Sequence, residues 1–231
     1  MTRPIDEHHI AVTRTARYYT LGTPGPGVRE VWVACHGYGQ LARYFLRRLV
    51  PLDDGTRLIV APEALSRFYL ENPGASHGTA RIGATWMTRE DRLVEIQDYL
   101  GYLDAVHGQV LESLGREAVR LVVLGFSQGV ATASRWAARG GPAPDAVILW
   151  AHGLPPDVDL AAGGERLRRL TVWLVAGERD PAYTPAVAKG DARRLAEAGV
   201  RHEVVTFAGG HELAAAALAG IAARIRALAL E

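Results

Sequence analysis

The sequence predicts an α/β fold with a mostly parallel central sheet and helices on both faces, and three observations predict it. Short, continuously apolar runs, LIVAPEA, VRLVVLGF, AVILWAHG, LTVWLVAG and HEVVTFAGG, recur along the chain and fit strands buried on both sides. Helix-like segments separate them, as crossover connections between parallel neighbours require. With 231 residues, 48% of them hydrophobic, the chain can bury a substantial core and is short enough to form one domain over residues 1–231.

Taken in order, the chain begins with HIAVTRTARYYTL and EVWVACHG, alternating or β-rich pieces joined through GTPGPG, whose glycines and prolines favour a turn. An antiparallel lead-in is expected there. The strand LIVAPEA follows, and then a long stretch between Pro62 and Thr88 that contains ENPGASHGTARIGATW. Such length is unusual for a passive connection in a compact domain and makes the stretch a candidate for shaping a binding site. The clearest helix comes after Thr88, with Asp91 as its capping-box partner and Leu93, Ile96, Leu100, Leu103, Val110 and Leu114 on one apolar face; Gly115 is its expected stop. VRLVVL reads as the next strand and VATASRWAARGG as a helix ending at Gly140 and Gly141. The remaining apolar runs complete the sheet, and an Ala-rich helix closes the chain. Ligands of such a sheet belong at the C-terminal ends of its strands.

Charge and cysteine content narrow the partners. The formal net charge is +1, and the arginines are scattered without a basic block, so nothing points to nucleic acid or a membrane surface, and a small neutral substrate is permitted. Cys35 stands alone, which rules out an intrachain disulfide and a Cys-rich metal site, and suits a reducing compartment. The segment MTRPIDEHHI lacks the apolar stretch of a secretion signal. The longest apolar run, Leu213 to Ala223, is too short to span a bilayer and ends at Arg224. A cytoplasmic protein without stable membrane insertion is expected; the sequence does not specify an oligomeric state and leaves a homodimer open.

The stretch GFSQG matches G-x-S-x-G, the sharp strand-to-helix turn that lifts a serine hydroxyl above a sheet, and it sits between a strand candidate and a helix candidate as that turn requires. Ser127 is therefore the candidate nucleophile. A serine hydroxyl needs a base within hydrogen-bond reach and a third group to orient the base. His211, in FAGGHEL after the last strand, lies at the C-terminal edge of the sheet where a base is needed; His152 is its rival. His202 falls at the opposite edge, His107 within a helix, and His77 in the long stretch. Asp180, in VAGERDPAYTP, gives the chain order Ser, Asp, His, with Asp157 and Asp159 as second choices for the acid. Oxyanion donors are expected from the backbone amides of Gln128, next to the serine, and Tyr38 in HGYG. Cys35 reads as a core residue rather than a thiol nucleophile. Trp86 and Met87 either line an acyl pocket or pack the long stretch onto the core.

In order and spacing, HGYG, GFSQG, AHGLPPD, GERDPAYTP and GGHEL resemble the phospholipase/carboxylesterase family of α/β-hydrolases, which includes bacterial carboxylesterases and acyl-protein thioesterases. The resemblance implies the α/β-hydrolase fold without a large cap domain, and the short span between AVILWAHG and LTVWLVAG leaves no room for one. It places the nucleophile, acid and base at Ser127, Asp180 and His211, and the oxyanion amides at Tyr38 and Gln128. It also puts Leu154 and Pro155 beside the acyl site and Trp86 before the long helix. Gln40 departs from the pattern, since many members carry an acidic residue there. The implied activity is hydrolysis of carboxylic esters with short to medium acyl chains through an acyl-enzyme, with no metal or organic cofactor. The alternatives are a thioesterase or lysophospholipase using the same three residues, and a non-catalytic binding protein of hydrolase fold.

Overall fold

The computed structural model describes residues 5–71, 78–116, 119–160 and 164–228. Its elements run β1 (Tyr18–Leu21), β2 (Glu30–Cys35), α1 (Ala42–Leu46), a 3-10 turn over Arg47–Leu52, β3 (Arg57–Pro62), β4 (Ser66–Tyr69), β5 (Ile82–Thr85), α2 (Arg92–Ser113), β6 (Arg120–Phe126), α3 (Gln128–Arg139), β7 (Ala146–Trp150), α4 (Gly164–Arg168), β8 (Thr171–Gly177), α5 (Pro185–Glu197), β9 (Arg201–Phe207) and α6 (Ala215–Ala227). Seven strands form the central sheet in the order β1-β3-β2-β6-β7-β8-β9, and every pairing is parallel except β1 with β3.

Period-two alternation sorts the core into two layers. From β2 and β6, Val31, Val33, Leu121 and Val123 face one side, where Ile96, Tyr99 and Leu103 of α2 and Val130, Ala133 and Trp136 of α3 cover them. Trp32, Ala34, Val122 and Leu124 face the other side, against Phe45 of α1, Leu49 of the 3-10 turn and Leu218, Ile221 and Ile225 of α6. Both faces being dry explains why these strands read as unbroken apolar runs. The chain has the α/β-hydrolase fold. Only the short α4 lies between β7 and β8 among the described residues, so no large cap domain covers the sheet. No described helix is long and apolar enough to cross a membrane.

Three local expectations are corrected. The lead-in is antiparallel, but β1 pairs with β3 rather than forming a hairpin with β2, and residues 8–17 add no strand. The reason is burial: β2 is buried at every position and takes a central place between β3 and β6, whereas the partly exposed β1 suits an edge. The long helix starts at Arg92, not after Thr88. Asp91 adopts φ 48° and caps nothing with its side chain, while Glu95 Oε2 reaches back to accept from the Thr88 N–H at 2.6 Å. Leu93, in the first turn, is 67% exposed, and the buried face runs through Ile96, Tyr99, Leu103, Val106 and Val110. Finally, the long stretch after β3 contains an antiparallel pair, β4 with β5, that alternation over four residues did not reveal.

The topology positions the site. From β2 the strand order grows to β3 on one side and to β6 on the other, so the connections leaving β2 and β6 diverge and open a crevice at their C-terminal ends. HGYG follows β2 and Ser127 follows β6.

Candidate active site

Ser127 sits at φ 53°, ψ −122°, a conformation that costs a side-chain-bearing residue energy and persists only where its surroundings enforce it. Two glycines permit the enforcement. A Cβ on Gly129 would lie 2.1 Å from the Cys35 carbonyl oxygen, and one on Gly125 would lie 2.4 Å from the Gly129 oxygen. The turn is thus pressed against the end of β2, and the Ser127 N–H donates to Trp150 O at 2.9 Å. Cys35 itself is buried and its thiol is pushed up by desolvation, consistent with a packing role.

His211, on the loop between β9 and α6, meets Ser127 from across the crevice. Its Nε2 lies 2.9 Å from Ser127 Oγ and its Nδ1 2.8 Å from Asp180 Oδ2. A carboxylate can only accept, so Nδ1 carries the proton and Nε2 is left to accept from the serine hydroxyl. Asp180 is 1% exposed, and burying its charge is compensated by donors. Oδ1 accepts from the N–H groups of Ala182 at 2.8 Å and Tyr183 at 3.1 Å, which leaves Oδ2 for the imidazole.

A second set of contacts ties the two loops beside Ser127 together. His36 is buried. It donates from Nδ1 to Gly37 O at 2.8 Å and accepts the Ala64 N–H at Nε2 at 3.0 Å, and desolvation holds its pKa down so that it stays neutral. The Gly37 N–H donates to Gln40 Oε1 at 2.9 Å, and Gly39 N–H to Ala84 O on β5 at 2.9 Å. The Gln128 side chain closes the circuit: Nε2 donates to Thr85 Oγ1 and Met87 O, both at 2.9 Å, and Oε1 accepts the Trp86 N–H at 3.1 Å. Among the described residues, no protein acceptor takes the Tyr38 or Gln128 backbone N–H. Gln128 follows Ser127 directly, and Tyr38 follows Gly37, where a Cβ would lie 3.2 Å from Ser127 Cβ.

The residues expected to line the acyl site divide. Trp86 is 3% exposed, packs on His36 and Tyr99, and donates from Nε1 to His36 O at 2.8 Å, so it anchors the loop within the core. Met87 is half-buried. Leu154 is buried, its N–H held at 3.0 Å by Asp191 Oδ2 and its carbonyl by Arg194 at 2.8 Å, both from α5. That clamp was not foreseen, although an acid and an arginine three apart on a helix are a readable pair. Of the rivals, His152 points its Nδ1 to its neighbour's carbonyl, His202 bonds Val200 O, and His77 lies outside the described residues. Asp157 is taken by arginines: Arg135 grips it through two bonds of 2.9 and 2.8 Å, and Arg92 adds a third at 2.8 Å.

Compared with known proteins, the chain matches no family model and no curated protein sequence. Solved structures do match. Acyl-protein thioesterase 2 of Zea mays superposes with a TM-score of 0.69 at 18% identity, covering 92% of this chain and 99% of that one. A phospholipase/carboxylesterase of Dyadobacter fermentans gives 0.62 at 18%, over 93% and 98% of the two chains. The carboxylesterase of Bacillus cereus gives 0.65 at 16%, over 91% and 93%.

Proposed function

We propose that this chain is a serine hydrolase of the phospholipase/carboxylesterase family that cleaves carboxylic esters with short to medium acyl chains. The observation that carries the reading is the unbroken hydrogen-bonded run from Ser127 through His211 to Asp180, set beside two unengaged backbone amides. The fold shared with esterase structures supports it.

The chemistry follows from the geometry. As Ser127 Oγ attacks the ester carbonyl, its proton passes to His211 Nε2, and the resulting imidazolium is held by Asp180. The carbonyl oxygen becomes negative and is met by the Tyr38 and Gln128 amides; the second lies at the N-terminus of α3, where the helix dipole adds to the attraction. Each such donor contributes roughly 3 kcal/mol to the transition state. His211 then protonates the departing alcohol, activates a water, and the acyl-enzyme is resolved. The Gln128 side chain keeps its own residue's backbone amide in place by locking α3 to residues 85–87.

A thioester in place of the oxygen ester would use the same groups, and the likeness to the maize thioesterase favours testing it. Hydrolysis of p-nitrophenyl esters from acetate to palmitate, with matched thiol esters alongside and Ser127→Ala as control, decides between these. Activity that peaks at short chains and vanishes in the variant is expected. A folded protein that turns over neither ester type would overturn the reading.

A further inference from the structure

Beside HGYG lies a cavity of about 640 Å³. Gly39, Gln40 and Leu41 form the wall nearest Ser127, and the connection is close: a Cβ on Gly37 would stand 3.2 Å from Ser127 Cβ and 3.3 Å from Gln40 Oε1. The partition between cavity and nucleophile is therefore one loop thick, and its polar group is a neutral amide rather than a carboxylate.

Three arginines line the cavity, from three separate segments: Arg43 on α1, Arg48 on the 3-10 turn and Arg81 just before β5. Their charge is poorly balanced. Arg81 is paired with Glu71, and Arg43 donates to its own neighbour, the Tyr44 hydroxyl, with its guanidinium 4.5 Å from that ring's centre. Glu63, the carboxylate whose charge reaches Arg43, is held by Arg17 and Arg67. Among the described residues, neither Arg43 nor Arg48 has an ion-pair partner. Between these cations the surface is apolar, with Tyr44 47%, Ile82 44% and Leu70 39% exposed. An apolar chain ending in an anion would cover that surface and place its charge on planar forks suited to oxyanions.

We propose that this cavity receives an anionic group carried by the ester, a carboxylate or a phosphate, so that the enzyme prefers substrates with a second, ionised end to neutral ones of the same length. The inference rests on the hydrolase reading and deepens it by naming the substrate class. The reacting carbonyl sits at Ser127, the chain crosses the Gln40 partition, and the charged end meets Arg48 first, the cation with no competing partner.

The test compares kcat/KM for p-nitrophenyl monoesters of adipate, suberate and sebacate with the hexanoate, octanoate and decanoate esters. A second arm carries a terminal phosphate, and a third places the carboxylate on the alcohol half of butyrate esters. The ratio of anionic to neutral ester is the readout. It is expected to exceed about tenfold at one length in at least one arm, the scale of a charge-assisted contact in a partly solvated site, and to shrink with added salt. Arg48→Gln should lower the ratio by about the same factor, Glu71→Gln should raise it by freeing Arg81, and Arg169→Gln just after α4 should leave it unchanged. A ratio near one at every length in all arms, or one that Arg48→Gln with Arg43→Gln does not move, overturns the inference while neutral-ester turnover still upholds the hydrolase. Should no ester be cleaved, the hydrolase reading fails on its own, and calorimetric titration of suberate against octanediol decides the cavity: equal binding of the two overturns the proposal.

Discussion

The loops after β7 and β8 each present an aspartate near the same edge of the sheet, and the two carboxylates are used in opposite ways. Asp157, after β7, is gripped through both oxygens by Arg135, which is itself buried and also donates to Tyr99, and Arg92 and the Asp157 carbonyl's contact with Arg139 add to the lock. Asp180, after β8, is held through one oxygen by amides of its own turn and offers the other to His211. A carboxylate surrounded by permanent cations has its lone pairs committed and ties two helices, α2 and α3, to a loop. One steadied by backbone amides keeps an oxygen for the His211 imidazole. Position in the chain makes both eligible as the orienting acid; the donors around them separate the roles.

The largest effect that would break this comparison is on turnover. Asp180→Asn should lower kcat by roughly four orders of magnitude, because the amide favours the wrong tautomer of His211, while Asp157→Asn should stay within about tenfold of the parent. Steady-state kinetics on one p-nitrophenyl ester reads both, and equal losses would erase the distinction.

Next in size is stability. Arg135→Met leaves Asp157 without its two-pronged partner and should cost roughly 2 kcal/mol in urea unfolding, less than breaking a fully buried pair because Asp157 is partly exposed and keeps Arg92. Acid sharpens the point. The hydrogen bonds from Arg135 hold the Asp157 carboxyl down to about 2. A carboxylate whose pKa is depressed on folding contributes stability above its unfolded value that is lost as pH falls through the folded one. Asp157 is partly exposed and solvent screens its ion pairs, so the parent should lose about 1 kcal/mol between about pH 4 and pH 2 that Asp157→Asn does not lose, and denaturant midpoints across that range measure it. Smallest is Tyr183→Phe, which removes the 3.2 Å hydrogen bond to Asp191 beneath Leu154. It should cost about 1 kcal/mol and raise KM more than it lowers kcat.

How much of this the residues announce depends on the distance over which each feature is decided. The strands β3, β6, β7 and β8 were legible because burial on both faces leaves an unbroken apolar run, the half-buried edge strand β9 because of its short VVTF run, and the Ser127 turn because the glycines at 125 and 129 follow from local crowding against Cys35. Asp180 and His211 were legible through chain order and strand ends. The β4–β5 pair was not, because four residues alternating between half-buried and exposed carry little period, and its bridge to Gln40 joins segments far apart in the chain. The grip of Arg135 on Asp157 spans 22 residues with no local pattern to mark it. The start of α2 was misplaced because the Thr88 hydroxyl and amide engage Glu95 instead of capping a first turn.

The most direct test of the central claim is to treat the protein with a fluorophosphonate and map the adduct by peptide mass spectrometry. One adduct on the peptide that contains Ser127, absent from Ser127→Ala and strongly slowed in His211→Ala, is the predicted result. A folded protein that takes up no label, or takes it elsewhere while Ser127 stays unmodified, would contradict the account.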